Sequence, residues 1–238
     1  MFNNKYSNLL TVLLVIAIIG ILGLFVFLGI DIYNKYYIQK ADSQGVSQFD
    51  NLIPDRNANE IYNDVILEPT NVTNTNTTNE IVDPFANLED QRTNNSSEGN
   101  SKSNKVYWNG FVQVGTINIP RTGLNSPVLE KATKKAIEIA VAVQVGPGLN
   151  QVGNTIIAGH NYRNGTLFSN NKNIQVGDKI FIKDTSGLTV TYIVYNKFET
   201  TPEDASYINK DTQGKREITL YSCNDDSSRR IIIEAREQ

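Results

Sequence analysis

The chain of 238 residues contains one cysteine, Cys223, and one histidine, His160. A thiol with a free pKa of about 8.5 attacks as the thiolate. A neighbouring imidazole can hold that thiolate as an ion pair or hand a proton to a leaving amine. Arg230 is a third candidate, because a guanidinium is always charged and presents its donors in a fixed fork. It suits stabilising an oxyanion or gripping a substrate carbonyl. Together the three form a sufficient set for acyl transfer through a thioester. The same scarcity excludes other chemistry: one Cys allows no internal disulfide framework and no Cys-based zinc knuckle, and one His excludes a His-rich metalloprotease site.

Each candidate sits at the end of a predicted strand. His160 closes IIAGH (156–160), Cys223 closes TLYSC (219–223), and Arg230 opens RIII (230–233). Strand ends are where a rigid scaffold presents side chains to a cleft. The region from Val106 carries the strand signals. FVQVGTINI (111–119) alternates and is closed by Pro120. Residues 125–129, 141–145, 154–159, 179–184, 188–198, 217–222 and 230–235 follow as further strands between Gly, Pro and Ser turns. Eight short strands in about 130 residues predict an all-β sandwich or barrel. Helix is expected only near 132–138, 166–170 and 203–208.

The rest of the chain is different material. Leu9 to Ile30 form an uncharged run of 22 residues whose only hydroxyl is Thr11. As a helix it spans the roughly 30 Å hydrocarbon layer. The run is longer than a signal-peptide core and no A-x-A cleavage pattern follows it, so an uncleaved anchor is expected. Lys5 before the run and Lys35 and Lys40 after it leave the positive-inside count a draw. Residues 31–104 are expected to be a flexible linker, because NVTNTNTTNE (71–80) and QRTNNSSEGNSKSN (91–104) cannot bury enough surface to offset ordering entropy. A short helix over 56–68 is the exception. The predicted organisation is therefore a tail (1–8), an anchor (9–30), a linker (31–104) and a β-domain (105–238).

Charge divides along the same line. Residues 1–104 carry 6 basic and 12 acidic side chains, and residues 105–238 carry 16 and 13. The overall net charge of −3 carries no footprint for nucleic acid.

The words around the three candidates resemble a known family. TLYSC is similar to the TLxTC motif of sortases, the cysteine transpeptidases that attach proteins to Gram-positive cell walls, with Ser222 in place of the usual Thr. IIAGH resembles the family's strand-His element, Arg230 its Arg-led final strand, and VGTINIPRTGLNSPVLE (114–130) its first two strands. The resemblance covers roughly 106–236 and preserves the order His, Cys, Arg. Of the adjacent Arg229 and Arg230, which face opposite ways on a strand, Arg230 stands at the family's distance from a small residue, Ala235.

The resemblance implies an eight-stranded β-barrel. It implies that Cys223 attacks a backbone carbonyl in an LPxTG-like sorting signal, that His160 protonates the leaving amine, and that Arg230 stabilises the oxyanion or orients the signal. An amine, from a lipid II stem peptide or a pilin lysine, then resolves the thioester. It also implies a cytoplasmic N-terminus and an extracellular catalytic domain. GHNYRNGTLFSNNKNIQVGDKI (159–180) looks like class D or related housekeeping enzymes, and the lack of a second hydrophobic segment argues against the pilus-type class C. Some class A members bind calcium through loop carboxylates. Glu138, Glu203 and Asp204 are scattered candidates here, and the expectation is no cofactor. Asp225 and Asp226, directly after the cysteine segment, either modulate it electrostatically or lie in a solvated loop. Specificity is expected in loops 161–173 and 199–214.

Two alternatives remain. A cysteine peptidase of another kind, which only hydrolyses, usually orders Cys before His on an α+β fold. A membrane-tethered, non-catalytic β-domain that binds cell wall or a partner protein would bury Cys223 as an inert side chain.

Overall fold

A computed structural model describes residues 4–56 and 105–238. The chain forms two compact units, Met1–Lys40 and Ala41–Gln238. Helix α1 (Asn4–Leu52) begins in the first. There the side chains from Leu9 to Ile30 are all exposed, and the helix is long and apolar enough to cross a membrane.

The second unit is a barrel. Its strands are β1 (Val106–Trp108), β2 (Phe111–Ile119), β3 (Leu124–Leu129), β4 (Val141–Val145), β5 (Gly153–Ala158), β6 (Lys179–Asp184), β7 (Thr189–Thr200), β8 (Arg216–Cys223) and β9 (Arg230–Glu237). They lie in the order β1-β2-β3-β4-β5-β8-β9-β7-β6, and a β2–β6 pairing closes β2 to β9 into eight strands. These are the eight strands predicted from the sequence. β1 is an extra strand on the Phe111–Gln113 end of β2. Past the register shift at Gln113/Gly115, β2 pairs with β6 instead. Pairing is antiparallel except for β3–β4 and β5–β8.

Two-residue periodicity splits the apolar residues between two cores. Ile157 of β5, Ile218 and Leu220 of β8, and Ile231, Ile233 and Ala235 of β9 join one cluster with Ile117, Ile182 and Tyr192. The alternate residues Ile156, Ala158, Tyr221 and Ile232 join a second cluster, on the other face of the same strands. Helix α2 (Lys134–Ile139) covers this second face through Ala136 and Ile137, and Tyr207 joins it from the β7–β8 loop. Thr133 caps α2, its hydroxyl accepting from Ala136 N at 3.2 Å.

Three local expectations need correction. Residues 203–208 are turns, not helix: the Asp204 carboxylate takes the Thr200 hydroxyl and Ser206 N, which closes an Asx turn in place of a helical one. The helix expected near 166–170 is a 3-10 helix and lies slightly later, over Phe168–Asn173. The expected linker is structured at its start. α1 runs to Leu52, and Ala41–Arg56 belong to the barrel's unit. Val46 and Phe49 are buried there, Gln113 Nε2 donates to Gly45 O at 3.4 Å, and Lys183 pairs with Asp50 at 3.0 Å and Asp55 at 2.8 Å. A Cβ on Gly45 would fall 2.5 Å from both Pro127 Cγ and Trp108 Nε1, so only glycine lets this helix approach so closely. Beyond Arg56, which forms an isolated bridge with Leu188, the predicted helix over 56–68 and the linker from 57 to 104 lie outside the described residues.

Candidate active site

The strand pairings bring the three sequence candidates together. Cys223 at the end of β8 is the direct partner of Arg230 at the start of β9. On the other side of β8, Ala158 of β5 is level with Tyr221, and Gly159 N donates to Tyr221 O at 3.1 Å. His160, one residue on, is therefore alongside the Ser222–Cys223 end of β8. Alternation sets the face: Ala158, Tyr221 and Ile232 point into the second cluster, and residues two positions along, His160, Cys223 and Arg230, share that face. The three thus meet on the outer face of the barrel wall, beside α2 and Tyr207. His160 and Cys223 are half-buried, and Arg230 is 6% exposed.

Gly159 is required by contact. A Cβ there would lie 2.7 Å from Phe168 Cδ2 and 2.9 Å from Val141 Cγ1. Phe168 N in turn donates to His160 O at 3.1 Å, and Asn161 bridges to Leu167, so the loop after His160 folds back on its own base.

Arg230 is held in place. Its Nε donates to the Tyr221 hydroxyl at 2.7 Å, and its Nη1 to Ser227 O and Arg229 O at 3.2 and 3.3 Å. Arg229 is exposed and points elsewhere, donating to Glu199 O at 2.9 Å. The Tyr221 ring also lies against that of Tyr207, tilted 31° with centroids 5.8 Å apart. The loop that carries Tyr207 is pinned twice. Thr219 donates to Asn154 Oδ1 at 2.9 Å, and Asn154 Nδ2 donates to Tyr207 O at 2.9 Å. Further along, Lys210 bridges the buried carboxylates of Glu217 and Glu234 at 2.8 and 2.9 Å. In TLYSC, therefore, Thr219 holds a loop, Tyr221 holds Arg230, and the buried Ser222 hydroxyl takes Asn171 Nδ2 at 3.5 Å.

Two residues that motif reading passed over touch the site. Asn161 Nδ2 donates to Cys223 O and to Asp225 Oδ1, both at 3.1 Å. This ties the histidine loop to the chain just after the cysteine. The Tyr162 ring lies 5.2 Å from that of His160, tilted 32°, and its hydroxyl donates to Glu138 O at 3.2 Å. Neither carried a signal beyond its place next to His160. Asp225 and Asp226 separate in role. Lys172 at 2.6 Å and Asn161 hold the Asp225 carboxyl below the usual range, whereas Asp226 accepts from Ser228 within its own turn.

Burial pushes the His160 imidazole below its ordinary pKa, and the Glu138 carboxylate opposes this in part. The candidates for calcium are not gathered: Asp204 is engaged by Thr200 and Ser206, and Glu138 lies on α2. Among the described residues no three His, Cys, Asp or Glu side chains are grouped to hold a metal.

A half-exposed thiol, an imidazole and a fixed guanidinium share one face of a closed eight-stranded barrel. Comparison with known proteins places the chain: the sortase domain model matches residues 117–238, and the chain belongs to the sortase family. Sortase A of Bacillus anthracis is 33% identical over 123 residues, which cover 50% of this chain and 57% of that protein. Among solved structures, sortase A of Corynebacterium diphtheriae superposes with a TM-score of 0.53 at 22% identity, covering 67% of this chain and 75% of its own. Sortase C1 of GBS pilus island 1 gives 0.52 at 20% identity, covering 66% and 75%. The two structures share the fold.

Proposed function

We propose that the protein is a membrane-tethered cysteine transpeptidase with Cys223 as nucleophile, His160 as general acid and base, and Arg230 as the oxyanion or substrate-carbonyl ligand. The observation that carries this reading is the register: Cys223 opposite Arg230, with His160 beside them on the same face. The half-exposure of Cys223 favours it over an inert binding domain.

In the first half-reaction the Cys223 sulfur bonds to the carbonyl carbon of an LPxTG-like sorting signal. The C–N bond breaks, and the thiol proton leaves through His160 on the departing amine. In the second, an acceptor amine of a lipid II stem peptide or pilin lysine attacks the thioester. Its proton returns through His160 to the sulfur. Burial of His160 suits this shuttle, because an imidazole with a depressed pKa gives up its proton readily to the leaving group. Arg230, already fixed by Tyr221 and two carbonyls, needs no reordering to meet developing negative charge.

The apolar run of α1 supports a single-pass anchor, with the N-terminus cytoplasmic and the barrel outside. The test is incubation with an LPxTG-type peptide panel and triglycine. Ligated product is expected from the native chain and none from Cys223→Ala. Cleavage without ligation, at any triglycine concentration, would instead mark a hydrolase.

A further inference from the structure

Tyr162 is an exposed aromatic side chain, 39% accessible, with no share in either hydrophobic core. Both ends of the side chain are nevertheless engaged. Its ring lies against His160 at 5.2 Å, and its hydroxyl reaches the backbone of Glu138 at 3.2 Å. Glu138 stands in the last turn of α2, whose Ala136 and Ile137 are anchored in the second core. Tyr162 therefore links the loop that bears the imidazole to a rigid element packed on the barrel.

The loop is built to present it. Arg163 N donates to Asn161 Oδ1 at 3.0 Å, Thr166 closes on Asn164, and Arg163, Gly165 and Leu167 take positive φ. The turn reverses tightly enough that residue 162 stays beside residue 160.

We propose that Tyr162 is a positioning residue for His160, a strut that fixes the imidazole plane for proton transfer at Cys223 and shields one side of it from water. The proposal rests on the transpeptidase reading for its catalytic consequence, and on the ring contact alone for its physical one. The charged and titratable groups around the imidazole are Glu138 from α2, Cys223 from β8, Arg230 from β9 and Tyr162 from its own loop. Removing the ring uncovers the imidazole while leaving Glu138 in place. Desolvation falls against an unchanged carboxylate attraction, which raises the affinity of His160 for its proton.

The single histidine makes this readable. In the full chain in detergent, labelled at the histidine Cε1, one imidazole signal titrates. It is followed in the native protein, Tyr162→Phe and Tyr162→Ala, with kcat and KM for peptide-to-triglycine ligation measured in parallel. Tyr162→Ala is expected to shift the titration up toward the ordinary value of about 6.5. It should lower kcat about tenfold, as expected for a misplaced proton-transfer group, with KM unchanged. Tyr162→Phe keeps the ring and should keep the native titration, with a smaller loss of kcat.

An unshifted titration in Tyr162→Ala overturns the proposal. So does a loss confined to KM, which would make Tyr162 a substrate contact. A shifted titration in a protein that ligates no peptide would uphold the strut and overturn the transpeptidase reading.

Discussion

Asp42 offers the sharpest quantitative test of how the chain before the barrel is attached to it. The residue is twelve positions past the apolar run and only 5% exposed. Burial raises its pKa to about 8 against an ordinary 3.8, with a Ser126 hydrogen bond opposing the shift. A raised carboxyl pKa means that the docked segment binds a proton the undocked segment releases. Docking is therefore fully favoured below about pH 3.8, weakens tenfold per pH unit up to about 8, and is level above that. At pH 7 the difference from the ordinary value is about 3 units, or about 4 kcal/mol at 1.36 kcal/mol per unit. Asp42→Asn removes the ionisation and should recover most of that amount. It should also abolish the pH slope. Trp108, the only tryptophan, reports on the contact, because its indole nitrogen abuts Gly45 one turn further along α1. Its emission, followed from pH 5 to 9, should change as the segment loosens in the native chain and stay flat in Asp42→Asn. A flat native curve, or the same slope in both proteins, would refute the reasoning.

Other substitutions test the parts of the site. Arg230→Lys cannot reproduce the three hydrogen bonds from Nε and Nη1, and should lower kcat about 100-fold or more. Arg229→Ala should stay within twofold of native, since Arg229 is exposed and bonded to Glu199; steady-state ligation separates the two. Gly159→Ala drives a methyl into Phe168 and Val141. It should cost about 1–3 kcal/mol in urea unfolding and lower kcat by displacing His160. Lys210→Met strands Glu217 and Glu234 without their shared ammonium. Arg236 still reaches Glu217 at 2.5 Å, so the loss should be about 2–4 kcal/mol, with faster hydrogen exchange across residues 201–215.

The strands were legible because half-buried strands alternate, whereas strands with a core on each face read as short apolar runs bounded by turn residues. FVQVGTINI and RIIIEA read as strands without any tertiary information. The same periodicity, once the β5–β8 and β8–β9 registers are known, explains why His160, Cys223 and Arg230 share a face. Sequence alone could place them only at strand ends. The start of the expected linker was not legible. Its buried apolar residues Val46 and Phe49 stand three positions apart amid polar neighbours, too short a stripe to signal docking, and the closeness allowed by Gly45 depends on Trp108 and Pro127 far along the chain. Asn161 and Tyr162 were invisible for a similar reason. Their side chains act on partners 62 and 24 residues away, and a loop reading NYRNG looks like any other turn.

The central claim is that Cys223 forms a thioester with a sorting-signal carbonyl. Intact-protein mass spectrometry of the detergent-solubilised chain, mixed with an LPxTG-type peptide and quenched in acid, measures it directly. The account predicts an acyl adduct that maps to Cys223, is discharged by triglycine as ligated peptide, and is absent in Cys223→Ala. Peptide turnover that persists in Cys223→Ala, or an adduct on another residue, would contradict it.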